Sequence, residues 1–248
     1  MRIDVFTIFP ELFHPFLTMG IVERARFAGA LEVRLTQLRA FTEDRHRSVD
    51  DRPYGGGPGM LFKPEPVFRA LHAVLGVTPS TEAAAPSEAT SKTRLIVLCP
   101  SGEQLSQPLL EELAGEEHLA LLCGRYEGYD QRILDAFPWQ RVSIGDYVLS
   151  GGEIPAMALV EGVARLIPGV LGHDESAVRD SFSEWPGASG LDHPHYTRPP
   201  QYRGMAVPDI LLSGDHGRIE EWRRKESERA TRRREASREV CEGPEQGA

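Results

Sequence analysis

The potential for chemistry in this sequence is concentrated in three short glycine-bearing stretches: CPSG at 99–102, CGRYEG at 123–128 and IGDYVLSGGE at 144–153. Glycine permits unusual backbone angles and lets a ligand or another chain come close to the main chain. A phosphate-gripping loop would add a lysine, and SIGDYVLSGGE (143–153) has none. The dense GGGPG at 55–59 contains Pro58 and is not followed by Gly-Lys-Ser/Thr, and neither a GxGxxG fingerprint nor a GxSxG elbow occurs. His173, Asp174 and Ser176 crowd too closely in a polar segment to form a triad. DHPHY at 192–196 has two histidines and an aspartate but no further ligand cluster, so no metal site is assigned there.

The segments that must position these stretches alternate in type. RIDVFTIF and LEVRLTQL have the period-two pattern of strands, whereas RLIVLCP and HLALLCG are short continuous apolar runs, as expected of strands covered on both faces. A helix-length segment, SQPLLEELAGEE, with Pro108 near its start, lies between the last two, and PAMALVEGVARLIPGV repeats the pattern after them, with Pro155 at its start and Pro168-Gly169 at its stop. That order is the signature of an α/β domain with a mostly parallel sheet. In such sheets ligands sit beyond the carboxyl ends of the strands, where the three glycine stretches fall. A pocket of main-chain amides and carbonyls suits a neutral, flat, hydrogen-bonding ligand such as adenine or ribose better than a triphosphate.

Length and composition agree with an ordinary soluble protein. The chain has 248 residues, 40% of them hydrophobic, enough for one large domain with a small second one. MRIDVFTIFPELF is interrupted by Asp4 and broken by Pro10, so it is neither a signal peptide nor a membrane span, and a cytoplasmic protein is expected. Cys99, Cys123 and Cys241 are odd in number and lack CxxC spacing, which fits a reducing compartment. A net charge of -9 repels nucleic acid globally, so such a partner must meet a local basic patch. By composition the chain divides into a body, residues 1–171, a Pro/Gly-rich linker, 172–204, and a charged helical part, 205–248. A loop or insertion rich in Ala, Ser, Thr and Pro runs from Gly76 to Lys92.

Six segments in order, DRHRSVDDRPYGGGPGM, LCGRYEGYDQR, SIGDYVLSGGEIPAM, IPGVLGHDESAVRDSF, HYTRP and VPDILLSGDH, resemble the bacterial tRNA (guanine-N1)-methyltransferase family from Met1 to about Arg229. The resemblance implies a SPOUT-type α/β sheet with a deep trefoil knot, a small mostly helical C-terminal domain, and a homodimer whose active sites draw on both subunits. Sequence pattern alone would exclude a threaded connection. The implied activity is methyl transfer from S-adenosylmethionine to N1 of the guanosine at tRNA position 37, 3′ of the anticodon. The alternatives are a ribose 2′-O-methyltransferase of the same superfamily and a non-catalytic RNA-binding relative.

Carried over by position, the donor contacts are Leu98, Cys99, Pro100, Gly124, Ile144, Gly145, Tyr147, Leu149, Gly151, Gly152 and Pro155. Glu127 matches a residue needed for activity. Guanine N1 must lose its proton as the methyl arrives, and Asp180 in RDSF matches the family's general base. Arg165 matches the guanidinium that meets charge developing at O6. Read without the resemblance, Asp180 is a helix N-cap and Arg165 a solvated or ion-paired helix residue. Ser176 and Ser181 are placed near the target base, and Arg45, His46, Arg47 and Arg52 near the tRNA. The run WRRKESERATRRR from Trp222 suits RNA phosphates, or else an exposed helix laced with Glu–Arg pairs. The family's Mg2+ requirement rests on the resemblance alone. The chain departs from the family at Val97, where an aromatic is expected beside the cofactor strand, and in a shortened tail beyond Arg229.

Overall fold

Strands buried on both faces require an apolar layer on each side, and the structure supplies both. It is a computed structural model that describes residues 1–79, 92–171, 180–182 and 190–242. Most of the bridge between Gly76 and Lys92, and all of Ser176, lie outside these residues. The chain divides into two compact units, Met1–Gly172 and His173–Ala248.

In the first unit five parallel strands, β1 (Arg2–Thr7), β2 (Glu32–Gln37), β5 (Arg94–Gln104), β6 (His118–Cys123) and β7 (Gln140–Ser143), lie in the order β2-β1-β6-β5-β7. Side chains alternate across the sheet. Ile3, Val5, Ile96, Leu98, Leu119 and Leu121 face one layer with residues of α2 (Gly20–Phe27), α4 (Gln107–Ala114) and α6 (Glu153–Leu166). Phe6, Leu95, Val97, Ala120 and Leu122 face the other, with residues of α3 (Pro64–Leu75) and α5 (Gln131–Ala136). Each fully buried Leu or Phe is worth about 1.5–3 kcal/mol, so the two layers hold the strand ends in place. Shorter elements are α1 (Phe13–Phe16) and a two-stranded ladder of β3 (Asp50–Asp51) with β4 (Leu61–Phe62).

Local signals set the helix ends. The Ser106 hydroxyl accepts the Leu109 N–H at the start of α4, with Pro108 in the first turn, and α3 stops at Gly76, left-handed at φ 70°. Helix α6 begins at Glu153, two residues before the start that Pro155 suggests. Proline fits anywhere in a first turn, because the N–H groups there have no intrahelical partner.

In the second unit, β8 (Gln201–Tyr202) and β9 (Met205–Ala206) form a hairpin whose turn residues, Arg203 and Gly204, both have positive φ. Helices α7 (Asp209–Leu212) and α8 (His216–Glu242) follow. Helix α8 carries i,i+4 ion pairs, Lys225–Glu221, Arg224–Glu228 and Arg232–Glu228, while Ile219 and Ser227 are buried on one face. Among the described residues, no helix is long and apolar enough to cross a membrane.

Candidate functional site

At the carboxyl ends of β5, β6 and β7 lies a cavity of about 450 Å3, walled by 98–101, 124–129, 142–145, 147–152, Leu134 and Pro155. All eleven residues nominated as donor contacts line it, as does Glu127. Its size is that of a small-molecule site, generally about 300–1,000 Å3.

Close backbone approach builds these walls. Leu98 and Glu103 of β5 both pair with Val142 of β7, so residues 99–102 leave the ladder as an excursion over the cavity. A Cβ on Gly102 would sit 2.4 Å from the Arg141 carbonyl carbon and the Val142 nitrogen, so only glycine lets the excursion rejoin β7. Beyond β7 the chain returns to the end of β6, where the Gly152 N–H donates to the Gly124 carbonyl at 2.8 Å and Arg125 bridges Gly151. A Cβ on Gly152 would lie 2.9 Å from the Cys123 Cα. The glycine pair thus serves the contact between two backbones as well as the cavity. The Tyr129 hydroxyl donates to the Leu122 carbonyl at 3.1 Å and lies 3.5 Å from the Leu98 carbonyl, so it links the ends of β5 and β6. Burial pushes its phenol pKa well above the usual value and keeps it a donor, and burial likewise raises the Cys123 thiol, which stays a neutral apolar filler.

Glu153, only 1% exposed, anchors the helix that follows. It accepts from the Thr7 hydroxyl at 2.7 Å, and the Arg125 Nε donates to its other oxygen at 2.9 Å. The Arg125 guanidinium lies 4.6 Å from the centre of the Phe9 ring. A carboxylate in a first helical turn also meets the positive end of the helix dipole. This network joins β1, the 124–128 loop and α6, and nothing in sequence reasoning singled it out. The signal available was a glutamate directly after the glycine pair at a helix start.

Glu127 is exposed at the cavity. The GGGPG loop supports it: the Glu127 N–H donates to the Met60 carbonyl at 3.0 Å, and a Cβ on Gly59 would fall 2.2 Å from the Glu127 Cγ. Arg45, His46, Arg47 and Arg52 are exposed on the segment before that loop. Arg165 is exposed in the last turn of α6 and is not a lining residue. In the second unit Asp180 lies in a bend that runs into a turn, half-buried, and the Ser181 hydroxyl accepts the Asp192 N–H at 3.0 Å. Val97 is fully buried among α3-side core residues, so its departure from an aromatic does not alter the lining.

A glycine-rich cavity at the carboxyl ends of the strands of a parallel α/β sheet is where such folds place a small-molecule ligand. The chain belongs to the tRNA (Guanine-1)-methyltransferase TrmD family, whose pattern matches residues 1–238. It is 50% identical over 232 residues to the tRNA (guanine-N(1)-)-methyltransferase of Geobacillus kaustophilus, across 93% of this chain and 88% of that protein. The enzymes of the same name from Bacillus licheniformis and Bacillus subtilis are 48% and 47% identical over 231 residues, 93% of this chain and 89% of each relative.

Proposed function

We propose that the protein transfers a methyl group from S-adenosylmethionine to N1 of the guanosine at tRNA position 37. The observation that carries this reading is the match of residues 1–238 to the family, together with a cavity whose lining contains every nominated donor contact. The donor suits the lining because the close approaches that Gly124, Gly145, Gly151 and Gly152 permit draw the loop backbones together around the cavity. When bound, it supplies an electrophilic methyl group on a sulfonium. Leu98, Ile144, Tyr147, Leu149 and their neighbours hold it, and Glu127 orients it at the mouth.

The remaining work falls to side chains. Asp180 takes the N1 proton as the methyl arrives. Arg165 donates to O6 and meets the negative charge that develops there. Ser176 and Ser181 stand by the target base, while Arg45, His46, Arg47, Arg52 and the basic face of α8 contact tRNA phosphates, which position but do not specify. We assign donor binding to residues 1–171, a linking role to 172–204 and tRNA contact to 205–248. The return of the chain from β7 to the end of β6 supports a SPOUT-type trefoil knot, and the reading includes a cytoplasmic homodimer with composite sites. Among the described lining residues Glu127 is the one carboxylate, and Mg2+ commonly binds through one or two carboxylates with water or phosphate, so the Mg2+ requirement in this reading rests on the family resemblance.

Asp180→Asn tests the reading. It keeps the size of the side chain but cannot accept the proton as a carboxylate does. General base catalysis contributes about 10²–10⁴-fold, so single-turnover methylation of unmodified tRNA should slow by that order while donor binding stays within about twofold. An unchanged rate would remove Asp180 from the chemistry. Nucleoside mass spectrometry of the product distinguishes N1-methylguanosine from a 2′-O-methylated ribose, and finding the latter would overturn the reading.

A further inference from the structure

The chemistry-bearing cluster that the proposed reaction does not use lies in the second unit. Asp192 stands between two imidazoles: one carboxylate oxygen lies 2.5 Å from His193 Nδ1 and the other 2.8 Å from His195 Nε2. The two rings are 4.4 Å apart, centre to centre. One potential ligand atom from each of the three residues lies within 4.8 Å of the others. Neighbouring residues in irregular backbone need not converge in this way, and the segment is held in place from outside. The Leu191 N–H donates to the Thr231 hydroxyl of α8 at 2.9 Å, and the Ser227 hydroxyl donates to the Leu191 carbonyl at 2.6 Å. Gly190 has no side chain to block this docking: a Cβ there would lie 2.3 Å from the Thr231 hydroxyl oxygen. Trp222 of α8 meets the His193 ring edge-on at 6.3 Å.

We propose that Asp192, His193 and His195 form a binding site for a borderline divalent transition-metal ion of the Zn2+ class, which staples residues 190–196 in place. Two nitrogens and one carboxylate oxygen are the ligand set such ions prefer, whereas Mg2+ and Ca2+ prefer oxygen alone. Zn–N and Zn–O distances of about 2.0–2.2 Å put tetrahedral ligand atoms about 3.3 Å apart, which small side-chain rotations reach from the present separations. On binding, each imidazole moves its proton to its outer nitrogen, so two neutral imidazoles and the Asp192 carboxylate take the ion without a net change in protons. His195 is exposed, with 70% of its side chain accessible, which leaves water a fourth position. Arg223, whose charge reaches His193, opposes a further cation but is itself paired with Glu220 at 3.4 Å. The Asp192 N–H bonds the Ser181 hydroxyl, so the ion would stiffen the segment next to Asp180.

The test uses the full chain without a histidine tag, stripped with chelator and titrated with Zn2+ in the absence of tRNA and donor. Calorimetry should give one strong site per chain. Co2+ in its place should show the visible absorption of a low-coordinate nitrogen and oxygen site. His193→Ala, His195→Ala and Asp192→Asn should each weaken Zn2+ at least about tenfold, the lower end of what loss of even an outer-shell partner costs. His72→Ala, on α3, should not. His195→Ala is the variant least exposed to a folding artefact, because its side chain is largely in water. Amide exchange at Leu191 and Asp192 should slow when Zn2+ is added. Stoichiometric binding that survives both histidine substitutions, or no binding by the wild type, would overturn the proposal. Neither result touches the methyltransferase reading, since no methylation is measured.

Discussion

Replacing Glu153 with alanine should both lower stability and weaken donor binding, because this carboxylate joins three elements behind the cavity. The substitution removes the acceptor of the Thr7 hydroxyl and the counter-charge of Arg125. Removing one partner of a buried pair costs about 3–5 kcal/mol. The Arg125 side chain keeps 21% exposure and rests on Phe9, so part of its charge can be solvated and the lower end, about 3 kcal/mol, applies. At about 2–4 °C per kcal/mol for a chain of this size, the unfolding midpoint should fall by about 6–12 °C. The assay is thermal unfolding followed by circular dichroism, with S-adenosylmethionine affinity measured by calorimetry well below the midpoint. A double-mutant cycle with Arg125→Met isolates the pair: its coupling should be about 1–3 kcal/mol, and the double variant should be less destabilised than the two single losses added together. If Glu153→Ala melts within about 2 °C of the wild type, or the cycle shows no coupling, the network does not hold the 124–128 loop against α6 and the reasoning fails.

Gly152→Ala should abolish donor binding with only modest loss of secondary structure, because its Cβ would press on the Cys123 and Gly124 backbone at 2.9 and 3.0 Å; calorimetry that finds wild-type affinity would contradict the tight approach. Replacing Arg232, Arg233 and Arg234 with alanine should flatten the salt dependence of tRNA binding by about 0.7–0.9 in log–log slope per lost phosphate contact, and an unchanged slope would make α8 an exposed ion-paired helix only. The fully buried Asp4 should contribute to acid lability: burial alone would raise its pKa, but hydrogen bonds and charge from His118 and Arg2 outweigh it and hold the carboxyl below its usual value. A depressed folded pKa contributes stability that is present above the unfolded value, about 3.9, and is lost as pH falls through the folded one. Asp4→Asn should therefore lower the midpoint at pH 7 and make its decline below about pH 4 shallower, as thermal unfolding across pH would show.

Much of the architecture was legible because it is written in local pattern. An uninterrupted apolar run such as RLIVLC or HLALLC is hidden only when both faces of its strand are covered, so two layers of helices follow from it. The glycine stretches marked the cavity because a missing side chain is visible in the sequence itself, and the parallel order placed all three at one sheet edge. The start of α6 was less legible, since Pro155 is equally at home at its first or third position.

What the tertiary structure alone decided is which distant residue meets which. A glutamate after a glycine pair reads the same in water as in a core. Glu153 is a buried anchor because Thr7, 146 positions away, and Arg125, 28 positions away, come to it. Gly102 reads as an ordinary turn glycine until β7 passes 2.4 Å from where its Cβ would be. The sheet order β2-β1-β6-β5-β7 depends on crossovers that no periodicity encodes. Even Asp192, His193 and His195, close neighbours in the chain, form a convergent cluster beside Leu191, whose backbone docks on α8. Periodicity and composition are properties of a short stretch of chain and so survive in the sequence, whereas burial and partnership depend on the path of the whole chain, which only the folded molecule contains.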